Sequence, residues 1–422
     1  MGSRWLGVIH DVAGGTPSHD ISPQGEQTQE RTMTMTTFTP DSFALDTDET
    51  TTTTAAMVAG SHTEAIDPVR LRRALKAYTT RFVAAAIESS ADGYHLEYGA
   101  DIVPRAGDVV LARVTEIGKH TRLESPVSRR QLLFPGREIL VAYGDRYAPD
   151  QFLAHVPTSL EPADLVAGGG LASSVIEMHA KIDGATQIEP IGLLADRAGR
   201  VTLDRFAPLG STATIAKPAA GKVPVVAVFG SSMNSGKSTV LGSIVNGFTN
   251  AGLQVAAGKS TGTGAGNDPH HFRDAGASTV LDFTDFGHAT TYRLGHERIR
   301  EIFVDMVDEL TASGPDVVII EVADGVYQEE TRRLLEDPEF HARVERVVFA
   351  SQDALGAVAG MQVLDEAGVT TSAVSGVVTS SPLATREAGQ VLGVPVIDTF
   401  ELREPEVALG LLPSDVFRSQ AS

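Results

Sequence analysis

The sequence predicts an α/β protein. A parallel sheet carrying a phosphate-binding loop is preceded by a small β-rich domain and a disordered N-terminal tail. Three observations predict this. From Lys217 onward, continuous apolar runs alternate with helical patterns. The first of those runs leads into a glycine-rich turn ending Gly236-Lys237-Ser238. Between Gly93 and Leu209 the pattern is shorter, partly alternating and punctuated by Gly and Pro. Continuous apolar strands separated by helices indicate a parallel sheet covered on both faces, and short alternating runs indicate a barrel or sandwich.

The elements follow in chain order. Residues 1–65 hold Thr-rich tracts with Gln, Ser, Pro and Gly and no lasting period, which reads as a disordered tail. Met33, Met35 and Met57 offer alternative starts within it. Residues 66–92 read as one amphipathic helix. Asp67-Pro68 supplies a cap and a first-turn proline, and Val69, Leu71, Leu75, Tyr78, Phe82 and Ala85 recur at helical spacing. Residues 93–215 form the β-rich domain, in which Pro104 to Glu124 faintly resembles a strand pair of an S1-like or OB-type barrel. Gly168-Gly169-Gly170 reads as an interdomain turn. Residues 216–422 form the domain of the phosphate loop. Its strands are expected near Val223–Phe229, Gln254–Ala257, Asp316–Ile320, Val347–Ala350, Ala373–Val378 and Val394–Ile397. Helices are expected over Ser238–Ala251, His296–Leu310, Ala354–Ala367 and Ala384–Leu392.

Composition removes several function classes. The 422 residues exceed one ordinary domain, and 42% hydrophobic content suffices for a packed core. A formal charge of −20 opposes general binding to nucleic acid or anionic membranes, so neither is expected as a partner. There is no cysteine, which excludes disulfides, thiolate metal sites and thiol nucleophiles, and fits a cytoplasmic location. Any covalent intermediate would therefore sit on a substrate. No apolar run reaches the ~18 residues of a membrane span, and Trp5–Ile9 is too short for a secretory signal.

The segment Val225–Thr239, VVAVFGSSMNSGKST, carries the chemistry. Small residues let backbone N–H groups turn inward around a phosphate, and the following helix aims its positive end there. Lys237 is expected at the β- and γ-phosphates, and the Ser238 hydroxyl on Mg²⁺. Gly230, Ser232, Asn234, Ser235, Gly236, Lys237, Ser238 and Thr239 are thus the predicted nucleotide-binding residues of a P-loop NTPase.

Five residues separate Gly230 from Gly236, one more than the commonest spacing. In this the loop resembles that of dethiobiotin synthetase and the related cobyrinic acid amide synthetases. The partitioning ATPases of the same superfamily carry an early loop lysine where this chain has Ser232. The likeness continues in QVAAGKSTGTG, which resembles the family's second strand with its lysine and small turn. It implies Lys259 as a catalytic residue, with Thr261 and Gly262 as substrate contacts. VVIIEVADG resembles the strand ending in a metal-binding acid, which implies Glu321. The resemblance spans about Lys217 to Leu402. Thr379-Ser380-Ser381-Pro382 departs from it where the family often has a base-reading Asn.

Between Gly264 and Leu294 lies a polar loop containing Asp268, His270, His271, Arg273, Asp274, Asp282, Asp285, His288 and Arg293. By the family's spacing, Asp274 rather than Asp268 is the expected third metal ligand beside Ser238 and Glu321. Asp268, His270 and Arg273 are expected substrate contacts, as is Asp324 after Glu321. Adjacent histidines point apart, which weighs against a zinc site. The resemblance implies an ATP- and Mg²⁺-dependent ligase or synthetase acting on a small-molecule carboxylate or amine, with a homodimer compatible. The alternative is a nucleotide-dependent switch or adaptor acting on a protein partner.

Overall fold

The computed structural model describes residues 60–216 and 223–413, and all of them fall in one compact unit. The tail expected over residues 1–65 lies outside the described residues up to position 59. Its last part is corrected, because His62–Ala65 is a strand paired antiparallel with His95–Tyr98.

Two short helices, not one long one, fill residues 66–92. Pro68–Arg73 begins as expected, with Asp67 Oδ1 accepting from Val69 N at 3.0 Å. Ala74 then turns extended, and Leu75–Lys76 pairs with Ile139–Leu140. Thr80 Oγ1 accepts from Ala77 N and donates to Leu140 O, which offers the backbone an alternative to helix. A second helix, Arg81–Ser89, buries Val83, Ala84 and Ile87.

The β-rich region closes on itself. Strand Thr186–Asp196 pairs with Val109–Glu116, which pairs with Glu138–Tyr143. Glu138–Tyr143 meets Leu171–Met178 in parallel, and Ala163–Ala167 joins that strand back to Thr186–Asp196. The ring is a five-stranded barrel, which decides between barrel and sandwich. Its alternating apolar residues pack inward: Val110, Ala112, Val114, Ile139, Val141, Leu165, Ala172 and Ile188 are buried together.

The second half is a six-stranded, all-parallel sheet. Its spatial order is Thr279–Asp282, Val255–Lys259, Val317–Glu321, Val225–Gly230, Arg346–Ala350 and Thr371–Ser375. Core clusters cover both faces, as the continuous apolar strands require. Helices occupy Lys237–Asn250, His296–Ala312, Ala354–Glu366 and Pro382–Val391, close to the sequence expectation. One expected strand is corrected. Residues 394–397 contribute only a parallel bridge between Val396 and Val374. The segment is interrupted by Pro395, whose ring nitrogen has no N–H to donate to a ladder.

The two halves meet closely. Tyr78 OH donates to Asp282 Oδ2 at 2.8 Å, and Arg81 pairs with Asp285 at 2.7 Å. The Gly168–Gly170 turn is part of this junction. A Cβ on Gly169 would stand 1.9 Å from Gly264 O, so no larger residue fits without moving backbone. Gly169→Ala is expected to cost about 1–3 kcal/mol by overpacking, read as a lowered Tm. An unchanged Tm would show that the two turns can separate freely.

Candidate functional site

Register brings the chemistry to one edge. Lys259 and Glu321 are paired positions at the carboxyl ends of neighbouring strands, and the phosphate-loop strand lies on the other side of Glu321. This edge is where an open parallel sheet receives ligands. Gly236 caps the following helix at φ 95°, a left-handed conformation that favours glycine. A Cβ on Gly230 would stand 2.2 Å from Ser235 Oγ and 2.8 Å from Lys237 Cγ, so the first loop position also requires glycine.

Lys237 is buried, and its Nζ donates to Ser232 O at 2.7 Å. Burial lowers its pKa, with Glu321 and Asp324 opposing. Asn234 lies exposed on the loop and donates to Asp150 Oδ2, across to the barrel half, at 3.1 Å. Ser235 is buried with an unpartnered hydroxyl, and Thr239 is exposed.

Lys259 sits between two carboxylates. It pairs with Glu321 at 3.0 Å and with Asp268 more closely still. Burial opposes its charge, but these two neighbours outweigh it and hold its pKa well above the lysine range. Burial likewise opposes ionisation of Asp268, yet Lys259, Asn267 and the Ser238 hydroxyl lower its pKa. Glu321 is 1% exposed, and its second oxygen, Oε2, has no hydrogen-bond partner. A buried oxygen of that kind costs free energy unless a cation or donor reaches it. Thr261 hydrogen-bonds through its hydroxyl to Ala323 O, and Gly262 N donates to Thr291 Oγ1 at 2.8 Å. Asp324 is pushed upward by burial, against the pull of Lys237, Lys259 and Arg146.

These groups line one cavity of about 800 Å³ that also has a wall from the barrel half. Lys237, Ser238, Lys259, Asp268, Glu321 and Asp324 face it from the parallel-sheet half. Lys119, His120, Arg122, Arg130 and Arg146 face it from the barrel half. Sequence reading missed this second wall. The basic run Lys119–Arg130 was its visible signal, but the partner surface lies more than a hundred residues away.

Several expected residues are elsewhere. Asp274, expected as a metal ligand, is exposed at the far end of helix Asn267–Asp274 and lines a separate groove with His270 and His271. Asp268, at the helix start, takes the place beside Ser238. The helical turn between positions 268 and 274 carries His270 and Arg273 outward as well, and Arg273 is exposed with its Nη2 donating to Val280 O. Asp282 and Asp285 belong to the clasp with Tyr78 and Arg81. Arg293 pairs with Asp145 at 3.3 Å.

His288 is packed as an acceptor, taking a hydrogen bond from Arg298 Nε at 3.0 Å. Burial, then the Arg298 charge, pushes its pKa down to about 4. The unfolded chain therefore binds a proton below pH 6.5 that the folded chain refuses until about pH 4. Stability carried by neutral His288 is present above pH 6.5 and lost as pH falls through this window. Asp285 runs the opposite way. Burial, then Asp282, raises it to about 6, so its contribution weakens as pH rises from 3.8. His288→Gln is expected to flatten the acid loss of Tm between about pH 6.5 and pH 4 relative to the parent. An unchanged slope would show that His288 is protonated in the folded state.

The parallel sheet, the glycine-rich loop and the helix it feeds define the P-loop nucleotide-binding fold, a scaffold for nucleotide hydrolysis or phosphoryl transfer. No protein-family model and no curated protein matches the chain. Solved structures with some likeness include the signal recognition particle 54 kDa protein from Aeropyrum pernix K1 in complex with GDP. It is 19% identical over 52% of this chain and 53% of that one, with a TM-score of 0.32. The signal recognition particle receptor FtsY from Elizabethkingia anophelis in complex with GDP is 18% identical over 46% and 61%, with a TM-score of 0.29. The kinase domain of Escherichia coli tyrosine kinase ETK is 14% identical over 36% and 66%, with a TM-score of 0.28. The matched part spans less than two thirds of each of these chains, and no activity passes from them to this protein. Among the described residues, no helix is long and apolar enough to cross a membrane.

Proposed function

We propose that this protein is an ATP- and Mg²⁺-dependent enzyme of the ligase or synthetase type, which activates a small carboxylate or amine by phosphoryl transfer. The supporting observation is the cavity itself. The phosphate loop opens into a space of about 800 Å³ with a second, chemically distinct wall, leaving room for a molecule beyond the phosphates. The resemblance to dethiobiotin synthetase at Gly230–Ser238, Lys259 and Glu321 points the same way.

The residues fit a magnesium ion. Ser238 Oγ, Asp268 and the orphaned Oε2 of Glu321 are all hard oxygen donors. Two carboxylates and a hydroxyl, completed by phosphate oxygens and water, make a normal set for this ion. When bound, Mg²⁺ supplies neutralisation of phosphate charge. Lys237 exchanges its bond to Ser232 O for the β- and γ-phosphates. Lys259, held by Asp268 and Glu321, places a second positive charge near the γ-phosphate. A carboxylate oxygen of the substrate, which has no proton to lose, or an uncharged amine nitrogen, which then gives a proton to water, bonds to the γ-phosphorus as the bond to the β–γ bridging oxygen breaks. ADP departs with that electron pair. The protein contributes position and charge rather than covalent chemistry.

The test is ADP release by the full chain with Mg²⁺ and ATP across panels of small carboxylates and amines. Stimulation by one member and consumption of that member support the reading. Stimulation only by a protein would instead establish a switch.

A further inference from the structure

The barrel's wall of the cavity is not explained by the phosphate loop. Within a chain of formal charge −20, Lys119, Arg122, Arg130 and Arg146 all line this wall against a single acid, Glu124, which feels the Arg130 charge. Among the described residues, none of the four forms an ion pair, whereas Arg70, Arg81, Arg200, Arg205 and Arg343 do. The parallel-sheet wall has the opposite balance, with two lysines against Asp268, Glu321 and Asp324.

Arg146 is the unusual member. It is 4% exposed, its Nη2 donates to Gln151 Oε1 at 3.0 Å, and its Nε has no partner. Its nearest acids, Asp150 and Asp324, act on it only through space, and burial lowers its pKa to about 10. A buried guanidinium with no carboxylate in ion-pair contact and an unpartnered Nε is costly for the fold. The guanidinium fork matches the geometry of a carboxylate or phosphate. Beside it, His120 Nε2 lies 3.0 Å from Val166 O and must donate there, because a carbonyl only accepts. Nδ1 is then left as an acceptor. Burial, then Arg146, holds the imidazole neutral, with a pKa of about 4.

We propose that this wall is the acceptor-substrate site: it binds the oxyanion of a small molecule, a carboxylate or phosphate, with Arg146 as the anchor and Arg122 and Arg130 at the mouth. This deepens the phosphoryl-transfer reading and rests on it. Asp324, which feels Lys237, Lys259 and Arg146 together, lies where the two walls meet. Asn234 of the phosphate loop donates to Asp150 of the barrel half, so the two walls are in direct contact.

The experiment is calorimetric titration of the full chain with inorganic phosphate and, separately, with succinate. Each is run with and without a saturating non-hydrolysable ATP analogue and Mg²⁺. The parent is expected to bind one of the two probes, which separates a phosphate from a carboxylate site. Arg146→Gln should weaken that binding about tenfold or more, and Arg122→Gln/Arg130→Gln about threefold or more, with affinity for the analogue held within about twofold. The double variant alters exposed residues and keeps the test valid should Arg146→Gln fail to fold. Binding of neither probe, or probe binding indifferent to the double variant, overturns the proposal. So does a variant that weakens the analogue instead of the probe, since the wall would then serve the nucleotide. Probe binding without any analogue binding in the parent would break the phosphate-loop reading and leave the anion wall standing.

Discussion

Replacing Lys237 by alanine is expected to lower ATP turnover by about 10²-fold or more, with the fold intact. The side chain is buried in the loop, and its Nζ is the one cation among residues 230–239, the group assigned to the phosphates in the proposed function. Its present partner is the neutral carbonyl of Ser232, which gives it up without leaving a charge unpaired. Burial already lowers its pKa, so losing the amine removes a costly group, and stability should fall little. The measurements are steady-state ADP release, analogue binding and thermal denaturation on the same preparation. Retained turnover with normal folding would remove the phosphate loop from the reaction and with it the proposed function.

Replacing Lys259 by methionine is expected to affect stability as well. Lys259 is the cation between Asp268 and Glu321, and Glu321 is 1% exposed. Without the ammonium, two carboxylates face each other in a buried site, at a cost of about 3–5 kcal/mol for a broken buried pair. The sign with pH follows from Asp268, whose pKa is lowered in the folded chain. Its ion-pair contribution is present above the unfolded carboxylate range and lost as pH falls through the folded value. The variant should therefore be most impaired near neutrality and least in acid. Mg²⁺ should restore part of the lost Tm, because the same two carboxylates are the proposed ligands, Glu321 through its unpartnered Oε2. The further change of Asp268 and Glu321 to Asn and Gln should recover stability without recovering turnover. If Lys259→Met melts like the parent at neutral pH, the triad carries no electrostatic weight. If Mg²⁺ gives no rescue, the ligand assignment is wrong.

The strand–turn–helix that carries the glycine-rich loop was legible because its geometry is local. Strand, glycine-rich turn, lysine, serine and helix are consecutive, and each residue's role depends on neighbours within a few positions. The adjacency of Lys259 and Glu321 was legible for a related reason, as a matter of position. Each is a charge ending an apolar strand, and parallel register alone sets them side by side. Asp274 was misplaced because spacing on a helix decides direction. Six residues along from Asp268, the side chain has turned away from the cavity into a different groove. Residues 66–92 were read as one helix because helical periodicity persists across the break. The hydrogen bonds from Thr80 and the pairing of Leu75–Lys76 with the barrel are long-range facts that periodicity does not carry.

By itself, the sequence determined that this is a cysteine-free α/β protein with a phosphate loop on a parallel sheet, since those features rest on composition, period and adjacency. Only the tertiary structure decided that residues 109–196 close into a barrel and that its basic residues face the loop. It also turned Gly169 from a simple turn residue into a point of contact between the halves. The physical reason is the same in each case. Ring closure, a shared cavity and a close backbone approach depend on groups far apart along the chain, which meet only when the core packs.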